Sequence, residues 1–404
     1  MSRPLEGLKV VDFTHVLAGP FATRILADMG ADVVKINSES RAVTTNNPDH
    51  PYYIMWNRNK RALALDLAND DAKGLCRQLC DQADIVIDNF SVGVLDRWGI
   101  GYCEVSQSNP GVIYVQMSGM GEGGPWSKFV TYAPTIHALS GLTSLTGVPG
   151  REDIGLGFSY NDHQAGLHGA FAVLAALEAR HRSGHGQRID ISQFEVGVNF
   201  AGPSILDLFA NGIGATAVGN KAPYDVWAPH NVYRCQPEQA ASVADERWIA
   251  IVVENESQWQ ALKSLMGDPD WAQETRFATA QSRYDHVDEL DAYIGAWTAT
   301  QNDYELMARC QAVGVPAGVV QNGRDLMERD PQLADADFAV AIDEPHPVVG
   351  PTWADRLPIR FRRRPCNEYS RVRMLGEDNA QVLQDWLGLD QDAVEDLAED
   401  GLLK

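Results

Sequence analysis

The chain has little positive charge, few cysteines and no long apolar run. It contains 33 lysines and arginines against 55 aspartates and glutamates among 404 residues, a net charge of −22. Nucleic acids and anionic membrane surfaces bind clustered Lys and Arg, so this charge argues against both partners. No stretch approaches the roughly 18 uninterrupted apolar residues of a membrane span, and the first residues lack an apolar signal-peptide core. The sequence therefore predicts a cytoplasmic protein with no membrane or nucleic-acid partner.

Six scattered cysteines are too few for a disulfide framework, and the sequence contains no CxxC or HExxH motif. Cys76 and Cys80 are four residues apart, so a helix would place both on one face as two small core residues. His163 and His168 are five residues apart and share a helical face poorly. We therefore expect reduced cysteines and no metal site.

The pattern of the first half of the chain alternates apolar strands with helices. Such alternation is typical of parallel sheets with helices on both faces, because parallel strands need a crossover connection. The chain is long enough for two or three domains. The predicted strands are 8–13, 31–36, 62–67, 83–88, 112–117 and 187–192, and the predicted helices are 18–29, 70–82, 92–98 and 166–180.

Changes in amino-acid composition divide the rest of the chain into segments. Residues 211–230 are rich in Gly and Pro and are predicted as a linker, so residues 1–210 form the first part of a large α/β domain. A strand at 248–253 and helices at 286–297 and 303–312 predict a small α/β domain over 231–330. Residues 331–404 are predicted as a Pro-rich linker followed by helices that return to the large domain.

The densest group of polar residues is GLGFSYNDHQAG at 155–166, immediately before the most apolar helix. Asp162 lies at or near the predicted start of that helix, where unpaired amides and the helix dipole favour a carboxylate. Two interpretations stay open, a helix-capping aspartate or a nucleophile towards an activated acyl group. Gly166 and Gly169 would let a ligand backbone approach closely.

Three other segments are candidate ligand contacts. His15 lies in the loop after the first strand, where it is either a phosphate or pantetheine contact or a residue that starts the helix. Residues 57–61, NRNKR, form a solvated turn or a phosphate contact. Residues 118–126, SGMGEGGPW, only superficially match a dinucleotide-binding loop, because Pro125 and Trp126 do not suit a helix start, and they predict a turn or a lid.

An ordered series of motifs resembles the class III CoA-transferases, the family that includes formyl-CoA:oxalate and carnitine CoA-transferases and the α-methylacyl-CoA racemases. No single motif decides the resemblance, but together they cover nearly the whole chain. The motifs are PLEGLKVVDFTHVLAGPFATRILADMGADVVKI, NRNKRALALDL, ADIVIDNF, GVLDRWGIGY, ALSGLTSLTG, YNDHQAG, LAALEARHRSGHGQRIDIS, GVPAGVV and MLGEDNAQVLQDWLGL.

The resemblance implies an α/β fold with a large Rossmann-like domain, which has a parallel sheet and is built from both chain ends, and a smaller middle domain. It also implies an interlocked homodimer. Asp162 occupies the position of the family nucleophile, which forms an anhydride with the acyl group and then an aspartyl-CoA thioester. Coenzyme A and its acyl thioesters are then substrates, with no tightly bound cofactor. Among the positions that match CoA contacts in relatives are Val16, Leu17, Ala18, Leu65, Asp66, Asn89, Phe90, Arg97 and Tyr132. His15 is added to these candidate contacts because of its place in the loop after the first strand.

Several residues depart from the patterns of individual family members. Leu17 stands where formyl-CoA transferases carry a glutamine, and their run of glycines in the small domain is missing. Ser38 stands where the family often has an arginine, with Arg41 as a substitute. Tyr132 lies in the segment where racemases have a histidine, so the second acid or base of a racemase is lacking. CoA transfer is therefore the favoured function, and a 2-methylacyl-CoA racemase, an acyl-CoA binding protein and a remote nicotinamide oxidoreductase are the alternatives.

Overall fold

The computed structural model describes residues 3–222, 226–237 and 246–404, which fall into two units. The first unit comprises Met1–Thr143, Gly155–Ala215 and Leu333–Lys404, and the second comprises Ser144–Ile154 and Thr216–Gln332. Both ends of the chain therefore belong to the first unit. The domain boundaries at 210, 230 and 330 stay predictions.

Eleven strands form three sheets in the described part of the chain. The first unit has a six-stranded parallel sheet in the order β3-β2-β1-β4-β5-β6, and a separate antiparallel pair, β10-β11. The second unit has an antiparallel sheet, β7-β8-β9. The strands are β1 Lys9–Asp12, β2 Asp32–Asn37, β3 Arg61–Ala64, β4 Ile85–Asp88, β5 Ile113–Gln116, β6 Gln187–Asp190, β7 His230–Arg234, β8 Trp248–Val252, β9 Ala317–Val319, β10 Ala339–Ala341 and β11 Trp353–Asp355.

Helices connect these strands, and the predicted α/β class is confirmed. The α-helices are α1 Ala18–Asp28, α2 Pro51–Trp56, α3 Asp70–Gln82, α4 Val94–Arg97, α5 Tyr102–Ser108, α6 Ala133–Leu139, α7 Leu142–Leu145, α8 Tyr160–Ser183, α9 Gln193–Phe200, α10 Gly202–Asn211, α11 Glu256–Leu265, α12 Ala280–Asp285, α13 Val287–Thr298, α14 Asp303–Ala312, α15 Gly323–Glu328, α16 Pro331–Asp335, α17 Asn379–Leu387 and α18 Gln391–Glu399. Short 3₁₀ helices span Thr44–Asn46, Asp270–Gln273 and Thr275–Phe277.

The six-stranded sheet separates two apolar cores. Successive side chains of a strand point to opposite faces, so Val10 and Val33 belong to one core and their neighbours Val11 and Val34 belong to the other. Because both faces are covered, the central strands β4 and β5 are fully buried and nearly continuous apolar runs, which is why they could be predicted from the sequence. Cys76 and Cys80 are buried in the second core, as predicted.

The C-terminal segment covers the edge strand β3. The backbone amide of Ala62 donates to Asp378 Oδ2 at 2.8 Å, and that of Ala64 donates to Asn379 Oδ1 at 2.9 Å. These contacts satisfy amides that an open sheet edge would leave unpaired. The strands of the parallel sheet all come from residues 9–190, and the C-terminal segment contributes helices α17 and α18 to the same unit.

Candidate active site

The loops that follow β1 and β4 meet where the strand order of the sheet reverses. The backbone amide of His15 donates to Asn89 Oδ1, and Asn89 Nδ2 donates to the His15 carbonyl oxygen, both at 2.8 Å. In open parallel sheets, ligands bind at the carboxyl ends of the strands that flank this reversal. The pair therefore marks the sheet edge where a ligand site is expected.

Val16 continues the first loop in a strained conformation. Its φ of 64° is an outlier for a β-branched residue. Such strain costs about 1–3 kcal/mol and persists only where the surrounding structure imposes it. The Val16 amide donates to Asn46 Oδ1 at 3.2 Å, and Leu17, the next residue, is buried in the core. These contacts hold the loop in one conformation at the start of α1.

The imidazole of His15 is uncharged at neutral pH. Burial, together with the charges of Arg41 and Lys35, lowers the pKa of His15 to about 4. The ring stacks on Phe90 with 5.1 Å between centroids, and the Arg41 guanidinium lies 4.6 Å from the Phe90 centroid. A neutral imidazole offers one donor and one acceptor, so His15 can contact a polar group without adding a charge to the site.

A buried charge cluster supports the same loop. The Asp12 carboxylate accepts from Thr14 Oγ1 at 2.5 Å and Thr23 Oγ1 at 2.7 Å, and it pairs with Lys35 at 3.3 Å and Lys60 at 3.1 Å. Burial opposes the ionisation of Asp12, but the lysines and hydroxyls outweigh it and lower the pKa of Asp12. Burial also lowers the pKa of Lys60 to about 7, against the opposing charge of Asp12. The cluster fixes Thr14, which directly precedes His15.

The cationic segment 57–61 is neither a solvated turn nor a free phosphate contact, so both interpretations from the sequence are wrong. Arg58 is buried and donates to both carboxylate oxygens of Asp28, at 3.2 and 2.7 Å. Lys60 is buried against Asp12, and Arg61 pairs with a third aspartate. These acidic partners are distant in the sequence, so a local pattern could not reveal them.

Asp162 lies in the first turn of α8, but Ser159 holds the N-cap position, so the interpretation of Asp162 as a helix cap is wrong. The helix begins before the predicted position because its first turns carry polar residues. Asp162 Oδ2 is buried and has no hydrogen-bond partner in the described part of the chain. Burial raises the pKa of Asp162 to about 6, although its backbone amide opposes this. At neutral pH the carboxylate is therefore ionised and has an unpaired oxygen, as a nucleophile requires.

Gly166 and Gly169 serve helix packing, and the expectation that they admit a ligand backbone is wrong. A Cβ atom on Gly166 would lie 2.8 Å from the Ala18 carbonyl oxygen and 2.8 Å from Phe21 Cδ1, both on α1. A Cβ atom on Gly169 would lie 2.9 Å from Met117 Sδ. The two glycines therefore let α8, with Asp162 in its first turn, approach α1 and the end of β5 closely.

Two residues near Asp162 were missed by the sequence analysis. His137 on α6 is buried, and its Nε2 accepts a hydrogen bond from the Asn161 backbone amide at 3.2 Å. Tyr52 on α2 is close enough for the charge of Asp162 to add to burial in raising the pKa of the phenol. Neither residue belongs to a local motif, so only the tertiary structure reveals these contacts.

Three neighbouring cavities surround these residues. The Asp162 cavity, about 220 Å³, is lined by Asp162, His15, Val16, Asn89 and Tyr132, among others. The Asn89 cavity, about 270 Å³, shares His15, Asn89 and Tyr132 with it and adds Phe90. The predicted nucleophile and five of the predicted CoA contacts therefore lie along two cavities with common walls.

The largest of the three, the His137 cavity, has a volume of about 350 Å³. It shares Ala133, Pro134 and Ser159 with the Asp162 cavity, and His137 forms part of its wall. Most of its other lining residues are apolar or glycine. A group attached to Asp162 could therefore extend either towards Asn89 or towards His137.

Residues 118–126 contain no helix, and the next helix, α6, begins at Ala133. A dinucleotide-binding loop leads directly into a helix whose N-terminus binds the pyrophosphate, and this segment does not have that geometry. Gly119 and Met120 instead line the Asn89 cavity. The segment is a turn-rich wall of the candidate site.

The described residues contain no group of three or more His, Cys, Asp or Glu side chains that could hold a metal ion. Among the same residues, no helix is both long and apolar enough to cross a membrane.

Comparison with known proteins identifies the family. The model for CoA-transferase family III matches residues 5–379. The chain belongs to this family.

Curated relatives of known name support CoA transfer as the activity of this family member. The chain is 30% identical to the succinyl-CoA–D-citramalate CoA-transferase of Chloroflexus aurantiacus, with 96% of each chain covered. It is also 30% identical to the succinate–glutarate CoA-transferase of Agrobacterium fabrum, with 94% of this chain and 95% of that protein covered. Among solved structures, a CaiB/BaiF family protein from Brucella suis is 30% identical with a TM-score of 0.85, covering 96% of this chain and 100% of the other.

The remaining predicted CoA contacts of this family III CoA-transferase do not line the three cavities. Leu17, Ala18 and Leu65 are buried in the protein. Asp66 is partly buried, with its amide bonded to the Leu402 carbonyl oxygen at 2.9 Å. Arg97 is exposed at the end of α4. The side chains of the three buried residues shape the loops, whereas Arg97 is free to meet an anion at the surface.

Proposed function

We propose that this protein transfers CoA from an acyl-CoA donor to a carboxylic acid acceptor, with Asp162 as the covalent nucleophile. The observation that carries the proposal is the buried, unpaired Oδ2 of Asp162 on the wall of a cavity, in a chain of CoA-transferase family III. The name of the Chloroflexus relative pairs a CoA thioester with a carboxylic acid, and that of the Agrobacterium relative pairs two carboxylic acids, which supports the substrate classes.

The reaction balances without an external acid or base. An Asp162 oxygen attacks the donor thioester carbon, and the C–S bond breaks to release CoA thiolate and leave a mixed anhydride. The thiolate attacks the Asp162 carbonyl carbon, which releases the donor carboxylate and leaves an aspartyl-CoA thioester. The acceptor carboxylate attacks this thioester, and the released thiolate then attacks the acceptor acyl carbon. Acceptor acyl-CoA leaves, and the Asp162 carboxylate is restored.

Two physical features of the site favour this sequence of steps. A carboxylate in water is a weak nucleophile, and burial of Asp162, which raises its pKa to about 6, makes the ionised oxygen more basic while leaving it ionised at neutral pH. The first turn of α8 also presents backbone N–H groups near Asp162, and such donors stabilise the oxyanions that form at each attack.

We assign the pantetheine arm of CoA to the Asp162 and Asn89 cavities, which share walls. In this arrangement His15, Val16, Asn89, Phe90 and Tyr132 contact the pantetheine arm, since they line the Asp162 and Asn89 cavities. Arg97, an exposed guanidinium, suits a CoA phosphate as a bidentate donor. Leu17, Ala18, Leu65 and Asp66 would contribute through their backbone or by supporting the loops.

An interlocked homodimer is the assembly that we propose. Helix α10 has no buried residue, and its Leu206 and Phe209 side chains are 67% and 83% exposed. On α8, Phe171 is 71% exposed. Large exposed apolar side chains such as these on α8 and α10 are typical of a protein interface, and a second copy of the chain is the occupant that we expect. Light scattering should give the mass of a dimer.

The decisive experiment traps the acyl enzyme. The protein is incubated with a panel of acyl-CoA thioesters, quenched with hydroxylamine and mapped by peptide mass spectrometry. We expect a hydroxamate on Asp162, and none in Asp162→Asn, which keeps the shape but lacks the nucleophilic carboxylate. Glu178→Gln, an exposed acidic residue on the same helix, is the matched control and should label like the wild type.

The same samples separate the alternatives. An unmodified Asp162 together with deuterium uptake at the α-carbon of a 2-methylacyl-CoA in heavy water would identify a racemase instead. Binding of acyl-CoA that survives Asp162→Ala, without labelling or turnover by the wild type, would identify a binding protein. Either result would reject the proposed transferase mechanism.

A further inference from the structure

The His137 cavity carries an inference about the acyl group that this enzyme prefers. We propose that the His137 cavity receives the acyl chain bound to Asp162, and that His137 Nδ1–H donates a hydrogen bond to an uncharged oxygen on that chain, a hydroxyl or a keto group. The inference rests on the proposed function, because it assumes that Asp162 is acylated.

The hydrogen bond to α8 fixes which nitrogen of His137 carries the proton. A backbone amide can only donate, so His137 Nε2, 3.2 Å from the Asn161 nitrogen, must be the acceptor and cannot hold a proton. Burial lowers the pKa of His137, which keeps the ring neutral. The single proton of the neutral imidazole is therefore on Nδ1, which makes no hydrogen bond within the described residues.

His137, which carries this donor, lies in the wall of the His137 cavity, and this cavity adjoins Asp162. His137 lines the His137 cavity, and Asn161, whose amide it accepts, directly precedes Asp162 in the first turn of α8. Ser159 is common to the His137 and Asp162 cavities. An acyl group on Asp162 that points away from Asn89 would therefore enter the cavity that contains His137.

The residues that line the His137 cavity favour an uncharged hydrogen-bond acceptor on the acyl chain. The lining residues that accompany His137 are without charge, and Leu156 and Phe158 are among those that make it apolar. Enclosing a carboxylate there would strip it of water without a cation to pair with it, which is costly. A hydroxyl or keto oxygen needs only a donor, which Nδ1–H supplies. An acyl group without any oxygen would displace water from that donor and offer no hydrogen-bond acceptor in its place.

The test compares four-carbon acyl groups that differ in one substituent. The probes are butyryl-CoA, 2- and 3-hydroxybutyryl-CoA and succinyl-CoA, and the quantity is the rate of Asp162 hydroxamate formation at low thioester concentration, which requires no acceptor acid. For the wild type we expect one of the hydroxybutyryl thioesters to react about tenfold faster than butyryl-CoA. His137→Gln should bring that ratio close to one.

Two further variants separate the contact with substrate from the support of α8. The amide of glutamine reaches the Nε2 position and keeps an acceptor for Asn161, whereas that of asparagine reaches the Nδ1 position and keeps the donor. We therefore expect His137→Asn to retain a higher hydroxybutyryl-to-butyryl ratio than His137→Gln, whatever its absolute rate. His168→Gln, an exposed histidine on α8, is the control and should keep the wild-type ratio.

Results that contradict the role of His137 can be distinguished from results that contradict Asp162 as the nucleophile. A ratio near one in the wild type, an unchanged ratio in His137→Gln, or a preference for succinyl-CoA that His137→Gln does not alter would each overturn the role of His137 while leaving Asp162 as nucleophile. Absence of any hydroxamate on Asp162 would overturn the proposed function and this inference together.

Discussion

Asn89 binds the backbone of His15 through both atoms of its side-chain amide, with two hydrogen bonds of 2.8 Å. This pair joins the loops after β1 and β4 across the reversal in strand order. It also fixes the residue before Val16, whose backbone is strained. The contact therefore connects the topology of the sheet with the shape of the candidate CoA site.

Replacement of Asn89 should weaken both the loop and the binding of acyl-CoA. Asn89→Leu removes both hydrogen bonds and leaves two partly buried backbone groups of His15 without these partners, so we expect a loss of about 1–3 kcal/mol in the free energy of unfolding. Release of the loop should raise KM for acyl-CoA about tenfold. Urea titration and initial rates measure the two effects. Asn89→Asp, which keeps only the acceptor, should lie between wild type and Asn89→Leu, and an unchanged KM in both variants would contradict the assignment.

The fold was largely predictable because its elements carry local signals. The predicted bounds of α3 and α14 agree with the structure, since Asn69 and Asn302 cap these helices with their side chains. β7 was not predicted, because its burial pattern shows only one fully buried residue and gives no apolar run. Asp162 was identified as the nucleophile through the family motif, whereas spacing alone favoured a helix cap.

The parts of the site that were not predictable depend on contacts between distant residues. The cations of residues 57–61 look free in the sequence, but Arg58 pairs with Asp28 and Lys60 with Asp12. His137 meets Asn161 only because α6 packs against the start of α8. No local period or motif encodes such pairings, so the tertiary structure is required to recognise them.

The activity should depend on pH below the pKa of Asp162 and become independent of pH above it. Burial raises that pKa to about 6, and the protonated carboxyl group is not nucleophilic. We therefore expect kcat/KM to fall about tenfold per pH unit below pH 6 and to be nearly constant around pH 7–8. Initial rates measure the profile, with circular dichroism at each pH as the control for folding. A limb centred near pH 4 would mean that Asp162 titrates like an exposed carboxyl group.

The same shift predicts that the nucleophile destabilises the protein at neutral pH. A carboxyl group whose pKa is raised from 3.8 to about 6 on folding binds its proton more tightly in the folded state. The contribution of the protonated Asp162 to the free energy of unfolding is therefore complete below pH 3.8 and is lost as the pH rises through 6. Asp162→Asn cannot ionise, so we expect it to be more stable than the wild type at pH 8, by up to about 3 kcal/mol. Urea titrations at pH 8 and pH 4 test this, and an advantage that is equal at both would exclude ionisation as its cause.

Loss of the Asp12 carboxylate, the only anion of its buried charge cluster, should lower the stability of the protein. Asp12→Asn leaves Lys35 and Lys60 buried without their anion, so we expect a loss of about 3–5 kcal/mol in the free energy of unfolding. Adding Lys60→Met should recover part of the loss, because it removes one unpaired charge. Asp70→Asn breaks an exposed ion pair with Lys73 and is the matched control, with little expected change. Equal losses in the single and double variants would contradict charge as the cause.

The contact of Gly166 with α1 predicts opposite effects for two glycine-to-alanine substitutions. Alanine in place of Gly166 would put its Cβ 2.8 Å from the Ala18 carbonyl oxygen, so α8 must shift, and we expect a loss of about 1–3 kcal/mol in the free energy of unfolding. Gly74, on α3, has open space around the position of a Cβ, so Gly74→Ala should gain about 0.5–1 kcal/mol from helix propensity alone. Because α8 carries Asp162, Gly166→Ala should also slow formation of the Asp162 hydroxamate, whereas Gly74→Ala should not. If Gly166→Ala lowers the stability but does not slow labelling, the shift of α8 does not reach its first turn. If both substitutions stabilise the protein, the close packing of α8 on α1 is contradicted.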